Sequence, residues 1–170
     1  IIKPIIVRKN NVKSFFTADK QSGCVPLTVQ FFNQSENNLF VSWSFDDGNG
    51  SAALNPIHTF TKSGIYRLKQ FVSNGCGFDT SSYAITVLPA PTVSFKVLSD
   101  TLCRGKQVKF QNTTLNAGAL TWYFGNGDSS IITNPTYTYS NPGRYAVTLK
   151  AVSNTSGCYN TFADTVEIYQ

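Results

Sequence analysis

Slid along itself by 79 residues, the separation of Cys24 from Cys103, the chain meets its own pattern a second time. Trp43 falls on Trp122, Phe45 on Phe124 and Gly48 on Gly127. Asn55-Pro56 falls on Asn134-Pro135, Gly64 on Gly143 and Tyr66 on Tyr145. One offset that carries rare Trp and Cys together with turn glycines marks an internal repeat, and a repeat limits the fold before any single segment is read. Cys76 and Cys158 stand 82 apart, because residues 152–157 make a longer turn than residues 73–75. Leu88-Pro89-Ala90-Pro91 closes the first copy, and its prolines favour an extended, semi-rigid connection. The units therefore span residues 11–88 and 89–170, with residues 1–10 leading in from an upstream module or lengthening the first strand.

Within each unit the apolar period is two. Leu27, Val29 and Phe31 alternate with Thr28 and Gln30; Val108 and Phe110 flank Lys109. Val41, Trp43 and Phe45 repeat the alternation, as do Leu120, Trp122 and Phe124. Tyr145, Val147, Leu149 and Ala151 fill one stripe, whereas in the first copy Gln70 interrupts Tyr66, Leu68 and Val72 in a nominally inward slot. Tyr83, Ile85 and Val87, and then Val166 and Ile168, close the units. Turn clusters every 8–12 residues argue for a sandwich, and no window supports a long helix. About seven short strands per unit, each with one wet face, predict an all-β chain of two tandem immunoglobulin-like β-sandwiches. Gly64-Ile65-Tyr66 and Gly143-Arg144-Tyr145 sit where a tyrosine corner would tie a loop to the next strand.

Composition narrows the function classes. Hydrophobic residues make up 41% of the chain and charged residues only 14%, the reverse of a disordered balance. The net charge of +5 is scattered, with Lys3, Arg8, Lys9 and Lys13 only loosely grouped, so no basic stripe for nucleic acid is expected. No apolar run approaches the roughly 20 residues of a membrane helix; Ile1–Val7 is too short and is broken by Lys3 and Pro4. Neither a signal peptide nor any Met is present, and the expectation is a segment from inside a longer secreted chain.

Three ordered motifs then resemble a family, that of PKD (polycystic kidney disease) repeats. These carry Trp-x-Phe-Gly-Asp-Gly, Asn-Pro-x-His-x-Tyr and Gly-x-Tyr-x-Val-x-Leu. Here the first copy reads Trp43-Ser44-Phe45-Asp46-Asp47-Gly48, Asn55-Pro56-Ile57-His58-Thr59-Phe60 and Gly64-Ile65-Tyr66-Arg67-Leu68. The second reads Trp122-Tyr123-Phe124-Gly125-Asn126-Gly127, Asn134-Pro135-Thr136-Tyr137-Thr138-Tyr139 and Gly143-Arg144-Tyr145-Ala146-Val147-Thr148-Leu149. Asp46 departs from the usual Gly, Asn126 from the usual Asp and Tyr137 from the usual His. The resemblance implies an immunoglobulin-like sandwich used for spacing, adhesion or protein contact. Gly23-Cys24-Val25-Pro26-Leu27 and Asn74-Gly75-Cys76 also look like Bacteroidetes surface proteins, which are often adhesins exported by type IX secretion.

The residues offer little to a catalyst. His58 is the one histidine and its counterpart is Tyr137, so neither a Ser-His-Asp relay in each unit nor a His-based zinc site assembles. Asp46-Asp47-Gly48-Asn49-Gly50 offers weak calcium candidates in Asp46 and Asp47, but these are also the residues that tight turns favour. Nine acidic residues in no repeated pair do not suggest the facing carboxylates of a glycosidase. Trp43, Phe45, Tyr66, Trp122, Phe124 and Tyr145 are expected in the cores rather than in a sugar-stacking platform. Tyr83 and Tyr123 are the candidates for surface contact.

Four cysteines without a CxxC pattern point to disulfides. Repeat logic favours Cys24–Cys76 and Cys103–Cys158. Immunoglobulin topology can set those positions roughly 20 Å apart, whereas a disulfide needs Cα atoms within about 7 Å. That leaves open Cys24–Cys158 across the junction, with Cys76 and Cys103 reserved for neighbouring modules. Asn33, Asn49, Asn112 and Asn154 head N-glycan triplets, and Asp100-Thr101-Leu102 and Asp164-Thr165-Val166 resemble a Bacteroidetes O-glycan pattern. The function expected is a non-catalytic extracellular spacer or adhesion segment without a cofactor. Its partners would be neighbouring repeats and a surface polysaccharide or protein, met through loops Glu36–Leu39, Asn49–Asn55 and Ser153–Gly157. The alternative is an accessory module that holds a polysaccharide or collagen-like substrate for a secreted enzyme.

Overall fold

Every described element is a β-strand. The computed structural model of the chain describes residues 11–99 and 102–170, and it divides into two compact units, Ile1–Leu88 and Pro89–Gln170. The lead-in assigned to residues 1–10 lies outside the described residues. Unit 1 contains β1 (Phe16–Ala18), β2 (Ser22–Cys24), β3 (Leu27–Asn33), β4 (Phe40–Ser44), β5 (Gly50–Ser51), β6 (Ile57–Phe60), β7 (Gly64–Ser73) and β8 (Phe78–Leu88). They form a three-stranded sheet in the order β1-β3-β6 and a five-stranded sheet in the order β2-β8-β7-β4-β5. All pairs are antiparallel except β2 with β8, where Cys24 lies opposite Leu88.

Unit 2 repeats the plan with β9 (Phe95–Val97), β10 (Gln107–Asn112), β11 (Ala119–Tyr123), β12 (Ser129–Ser130), β13 (Thr136–Thr138), β14 (Gly143–Val152) and β15 (Tyr159–Ile168). Its sheets run β9-β10-β13 and β12-β11-β14-β15.

The period-two pattern explains which faces meet. A one-residue slip in register would turn every inward side chain out, so the alternation pins the strands. In unit 1 Val29, Phe31, Phe60, Leu68 and Ile85 are fully buried around Phe16, Trp43 and Phe45. Val108, Phe110, Tyr139, Val147 and Val166 hold the equivalent places in unit 2, around Phe95, Trp122 and Phe124. Edge-to-face rings tie the layers together: Phe16 meets Trp43 at 4.9 Å and Phe95 meets Trp122 at 5.0 Å between centroids. The long hairpins, β7 with β8 and β14 with β15, form the spine of each larger sheet.

Both tyrosine corners are present. Tyr66 donates its hydroxyl to Lys62 O at 2.8 Å, and Tyr145 donates to Asn141 O at 2.9 Å. The two tyrosines are half-buried, packing against the rims of their cores rather than inside them. A phenol needs its hydroxyl at a wet edge, so the rim is where the corner has to sit.

Candidate functional site at the turn after the tryptophan strand

The polar residues with any chemical promise gather beyond the end of β4. There the chain reverses through Phe45–Asn49, closed by the Phe45 N–H donating to Asn49 O at 3.1 Å. Asp46 (φ 63°) and Gly48 (φ 89°) adopt the left-handed conformation that this turn requires. Asp46 spends its Oδ2 on the backbone N–H of Arg67 in β7, at 2.9 Å. Asp47 accepts the Asn49 N–H on Oδ1 at 3.0 Å, and its Oδ2 lies 2.7 Å from His58 Nε2. The His58 ring stacks flat on Phe45, with 4.1 Å between centroids and 4° between planes, and meets Phe60 edge-on. Partial burial pushes the Asp47 carboxyl up, but the hydrogen bonds from His58 and Asn49 outweigh it and hold the group below its usual value.

Unit 2 builds the same clamp from different residues. Tyr137 replaces the imidazole and stacks on Phe124 at 4.1 Å and 10°, with Tyr139 edge-on. Its hydroxyl donates to Asp128 Oδ2 and accepts from Asn126 Nδ2. The carboxylate has therefore moved two positions along the turn. Gly125 (φ 81°) stands where unit 1 has Asp46, and a Cβ there would lie 2.9 Å from both the N and the O of Ala146. Burial raises the Tyr137 hydroxyl above its usual value, with the hydrogen bond to Asp128 adding to it; burial raises Tyr139 further.

In both units every one of these groups serves a neighbouring strand or turn. The weak calcium candidates Asp46 and Asp47 direct their carboxylates to different partners. Among the described residues no three His, Cys, Asp or Glu side chains come together as a metal site would need.

A family model described as the PKD domain matches residues 14–87 and again residues 89–169. The chain belongs to the PKD domain family. Among solved structures it is similar to the PKD1 domain of the metalloprotease PrtV from Vibrio cholerae. That match has 30% identity, covers 48% of this chain and 99% of that one, and has a TM-score of 0.43. The PKD1 domain of Vibrio anguillarum Epp matches at 28% identity over 46% of this chain and 93% of that one, with a TM-score of 0.42. A solution structure from Methanosarcina mazei matches at 34% identity over 52% and 61%, with a TM-score of 0.40. PKD domains are typically non-catalytic modules of extracellular proteins, and this chain is a tandem of two.

The remaining sequence candidates fall at distinct places on the two PKD units. Trp43, Phe45, Trp122 and Phe124 are buried. Trp43 donates its indole N–H to Ala53 O at 2.9 Å, whereas the Trp122 N–H has no partner among the described residues. Tyr123 is exposed on the outer face of β11. Tyr83 is a correction: it packs half-buried against the unit 1 core, 6.0 Å from Phe16, because its strand parity matches that of Ile85 and Val87. It also borders a groove of about 290 Å³ lined by Phe15, Phe16 and Ser81, with no carboxylate, imidazole or amine on it. Of the contact loops, Ser153–Gly157 is partly internal, since Ser153 is buried and its Oγ accepts the N–H groups of Thr155 and Ser156. Asn49 and Asn154 are exposed, whereas Asn33 and Asn112 are half-buried with Oδ1 already engaged. The Asp100-Thr101 pattern lies outside the described residues.

The within-unit disulfides are also corrected. Cys24 and Cys158 are disulfide-bonded, while Cys76 and Cys103 are free thiols, so neither Cys24–Cys76 nor Cys103–Cys158 forms. The reason is strand length. Cys24 pairs beside Leu88, the last residue of β8, and Cys76 precedes Phe78, the first. Cys103 bridges to Tyr169 just past β15, and Cys158 precedes Tyr159 at its start. A strand of that length separates each pair by about 30 Å, against the roughly 7 Å limit between Cα atoms of a disulfide.

Sequence reasoning flagged Gln70 as an anomaly and missed its role. It is fully buried opposite Trp43 and satisfied: Oε1 accepts from Ser14 Oγ at 2.9 Å and Ser35 Oγ at 3.0 Å, and Nε2 donates to Asn33 Oδ1 at 2.8 Å. The signal was there in Ser14, Ser35 and Ser81, but their convergence from two loop segments and strand β8 is a tertiary fact.

Proposed function

We propose that this tandem is a non-catalytic structural segment, a spacer or adhesion element of a larger surface or secreted protein. The observation that carries this reading is the paired clamp. The polar cluster at this turn is built from His58 and Asp47 in one unit and from Tyr137, Asn126 and Asp128 in the other. Its single common outcome is to pin a turn to a strand. A reaction would need one set of groups kept in one chemical form, whereas a turn needs only partners of matching shape. The cysteine style of Gly23-Cys24-Val25-Pro26 supports the placement among Bacteroidetes-type surface adhesins.

The test is direct. The purified chain is incubated with insoluble polysaccharides and with fibrous collagen, followed by sedimentation and product analysis. The spacer reading expects the chain in the supernatant and no new chain ends. Release of product would overturn the non-catalytic assignment. Retention without turnover would replace the spacer with the substrate-holding accessory module.

A further inference from the structure

The four cysteines occupy two kinds of position. Cys24 and Cys103 are corner cysteines, opposite Leu88 at the end of β8 and Tyr169 just past β15; Cys76 and Cys158 are tip cysteines, in the turns that open those strands. One corner and one tip are oxidised, and the other corner and the other tip are free. Each kind of position is thus competent for a disulfide, yet a sandwich cannot close its own, because a strand about 30 Å long keeps its corner from its tip.

The surroundings of the free tip differ from those of the oxidised one. Cys76 is exposed in a turn whose backbone is fixed by Asn74, with the Cys76 and Gly77 N–H groups donating to Asn74 Oδ1 at 3.0 and 3.1 Å. Around this rigid turn stand Leu39, Phe40, Phe71 and Phe78, each 41% or more exposed, with the rings of Phe71 and Phe78 stacked 5.7 Å apart. The matching positions in unit 2 are Gly118, Ala119, Lys150 and Tyr159, where Lys150 Nζ lies 4.7 Å from the Tyr159 ring centroid; Cys158 there is buried. An exposed apolar collar around a held thiol is a surface built to be covered. The free corner, Cys103, is half-buried, and its backbone is locked to the last strand by Arg104 N donating to Tyr169 O at 2.9 Å.

We propose that Cys76 and Cys103 are complementary halves of module-to-module disulfides. Tip Cys76, with its apolar collar, takes the corner cysteine of another PKD module of this kind, and corner Cys103 takes a tip cysteine. Each bond forms when two thiols give up two protons and two electrons to a disulfide oxidant. With oxidised glutathione, one thiolate attacks the glutathione disulfide and expels one glutathione; the second thiolate then displaces the other. The products are the inter-module disulfide and two glutathione thiols. The proposal rests on the array reading of the tandem, but it is tested separately from it, since polymer binding or turnover leaves the pairing rule untouched.

A second copy of this chain serves as the other module. The full chain, with its existing disulfide intact, is exposed to oxidised glutathione and then examined by non-reducing electrophoresis and peptide mapping. The expected result is a ladder of covalent oligomers joined by Cys76–Cys103 peptides. Cys76→Ser and Cys103→Ser each remain monomeric alone, and an equal mixture of the two gives a dimer. Mixed cross-links should exceed Cys76–Cys76 and Cys103–Cys103 links by about tenfold, the ratio given by a docking preference of about 1.4 kcal/mol. Three results would overturn the rule: like-with-like links as abundant as mixed ones, closure of Cys76 on Cys103 inside one chain, or glutathione capping of both thiols without a ladder.

Discussion

Gln70 and Leu149 stand at one place in two copies of one fold, each directly opposite the core tryptophan of its unit. Around Leu149 two of the matching neighbours are apolar, Val93 for Ser14 and Phe162 for Ser81, with Phe162 edge-on to Phe95 at 5.3 Å, while Asn112 and Thr114 keep the polar places of Asn33 and Ser35. Around Gln70 they are hydroxyls and an amide. A PKD core therefore accepts either an apolar plug or a polar cluster at its centre, provided that the two neighbours at Ser14 and Ser81 change with it. Burying the amide is tolerable only because its partners come with it; an unpaired one costs several kcal/mol.

The strongest way to break this comparison is to swap the plugs alone. Leu149→Gln should destabilise unit 2 by about 2–3 kcal/mol, since Val93 and Phe162 offer the amide nothing and only Asn112 and Thr114 are polar at the matching positions. Gln70→Leu should cost unit 1 less, about 1–2 kcal/mol, because Ser14 Oγ and Ser81 Oγ, 2.7 Å apart, still have each other. Amide exchange of peptides from β14 and β7 reads the two effects separately. A Leu149→Gln chain with unchanged β14 protection would show that the neighbours do not decide the matter.

The turns give the next effect. Gly125→Ala should cost unit 2 about 2 kcal/mol, since it forces a Cβ against the Ala146 backbone at a positive φ. Asp46→Gly in unit 1 should cost under about 1 kcal/mol, trading the bond to Arg67 N for relief of the same backbone conformation. Denaturant unfolding monitored by exchange in β4 and β11 distinguishes them; equal losses would mean that the two turns are not solving one problem in two ways. Tyr66→Phe and Tyr145→Phe sharpen the comparison from the other side. The corners are alike, so both losses should be about 1 kcal/mol and equal within error.

The smallest effect is a divergence with pH. Asp47 is held below its usual value of 3.8, and Asp79 is too, because the Ser14 and Thr80 N–H groups donate to it. A depressed folded value adds stability that is in place above 3.8 and is lost as the pH falls through the folded value. In unit 2 Tyr137 and Tyr139 are held above 10.0, so their contribution is intact below that value and declines as the pH rises past it. Acid should therefore weaken unit 1 first and alkali unit 2. Asp47→Asn should narrow the acid difference; if exchange at about pH 3 is the same with and without it, the His58–Asp47 clamp adds nothing to folding.

Much of this was legible in the chain. The offset of 79 delivered the two units, and the period-two stripes delivered which side chains meet, because a strand can bury only alternate residues. The tyrosine corners were readable from Gly64-Ile65-Tyr66 and Gly143-Arg144-Tyr145, since the bond spans only four residues. What failed were properties of distance across the fold. Tyr83 is the exception, since its parity with Ile85 and Val87 is local and already set it against the core. The lengths of β8 and β15 separated the cysteines that repeat logic had paired.

The sequence by itself determined that there are two sandwiches, where they divide and which aromatic rings fill them, because alternation and repetition are local properties of a chain. Only the tertiary structure decided that Gln70 is satisfied, that the clamps built on His58 and Tyr137 are equivalent, and that Cys76 and Cys103 are free. Each of those depends on which side chains the sheets bring within a few ångströms, across separations of 9 to 56 residues for the bonds named, and no local pattern records that.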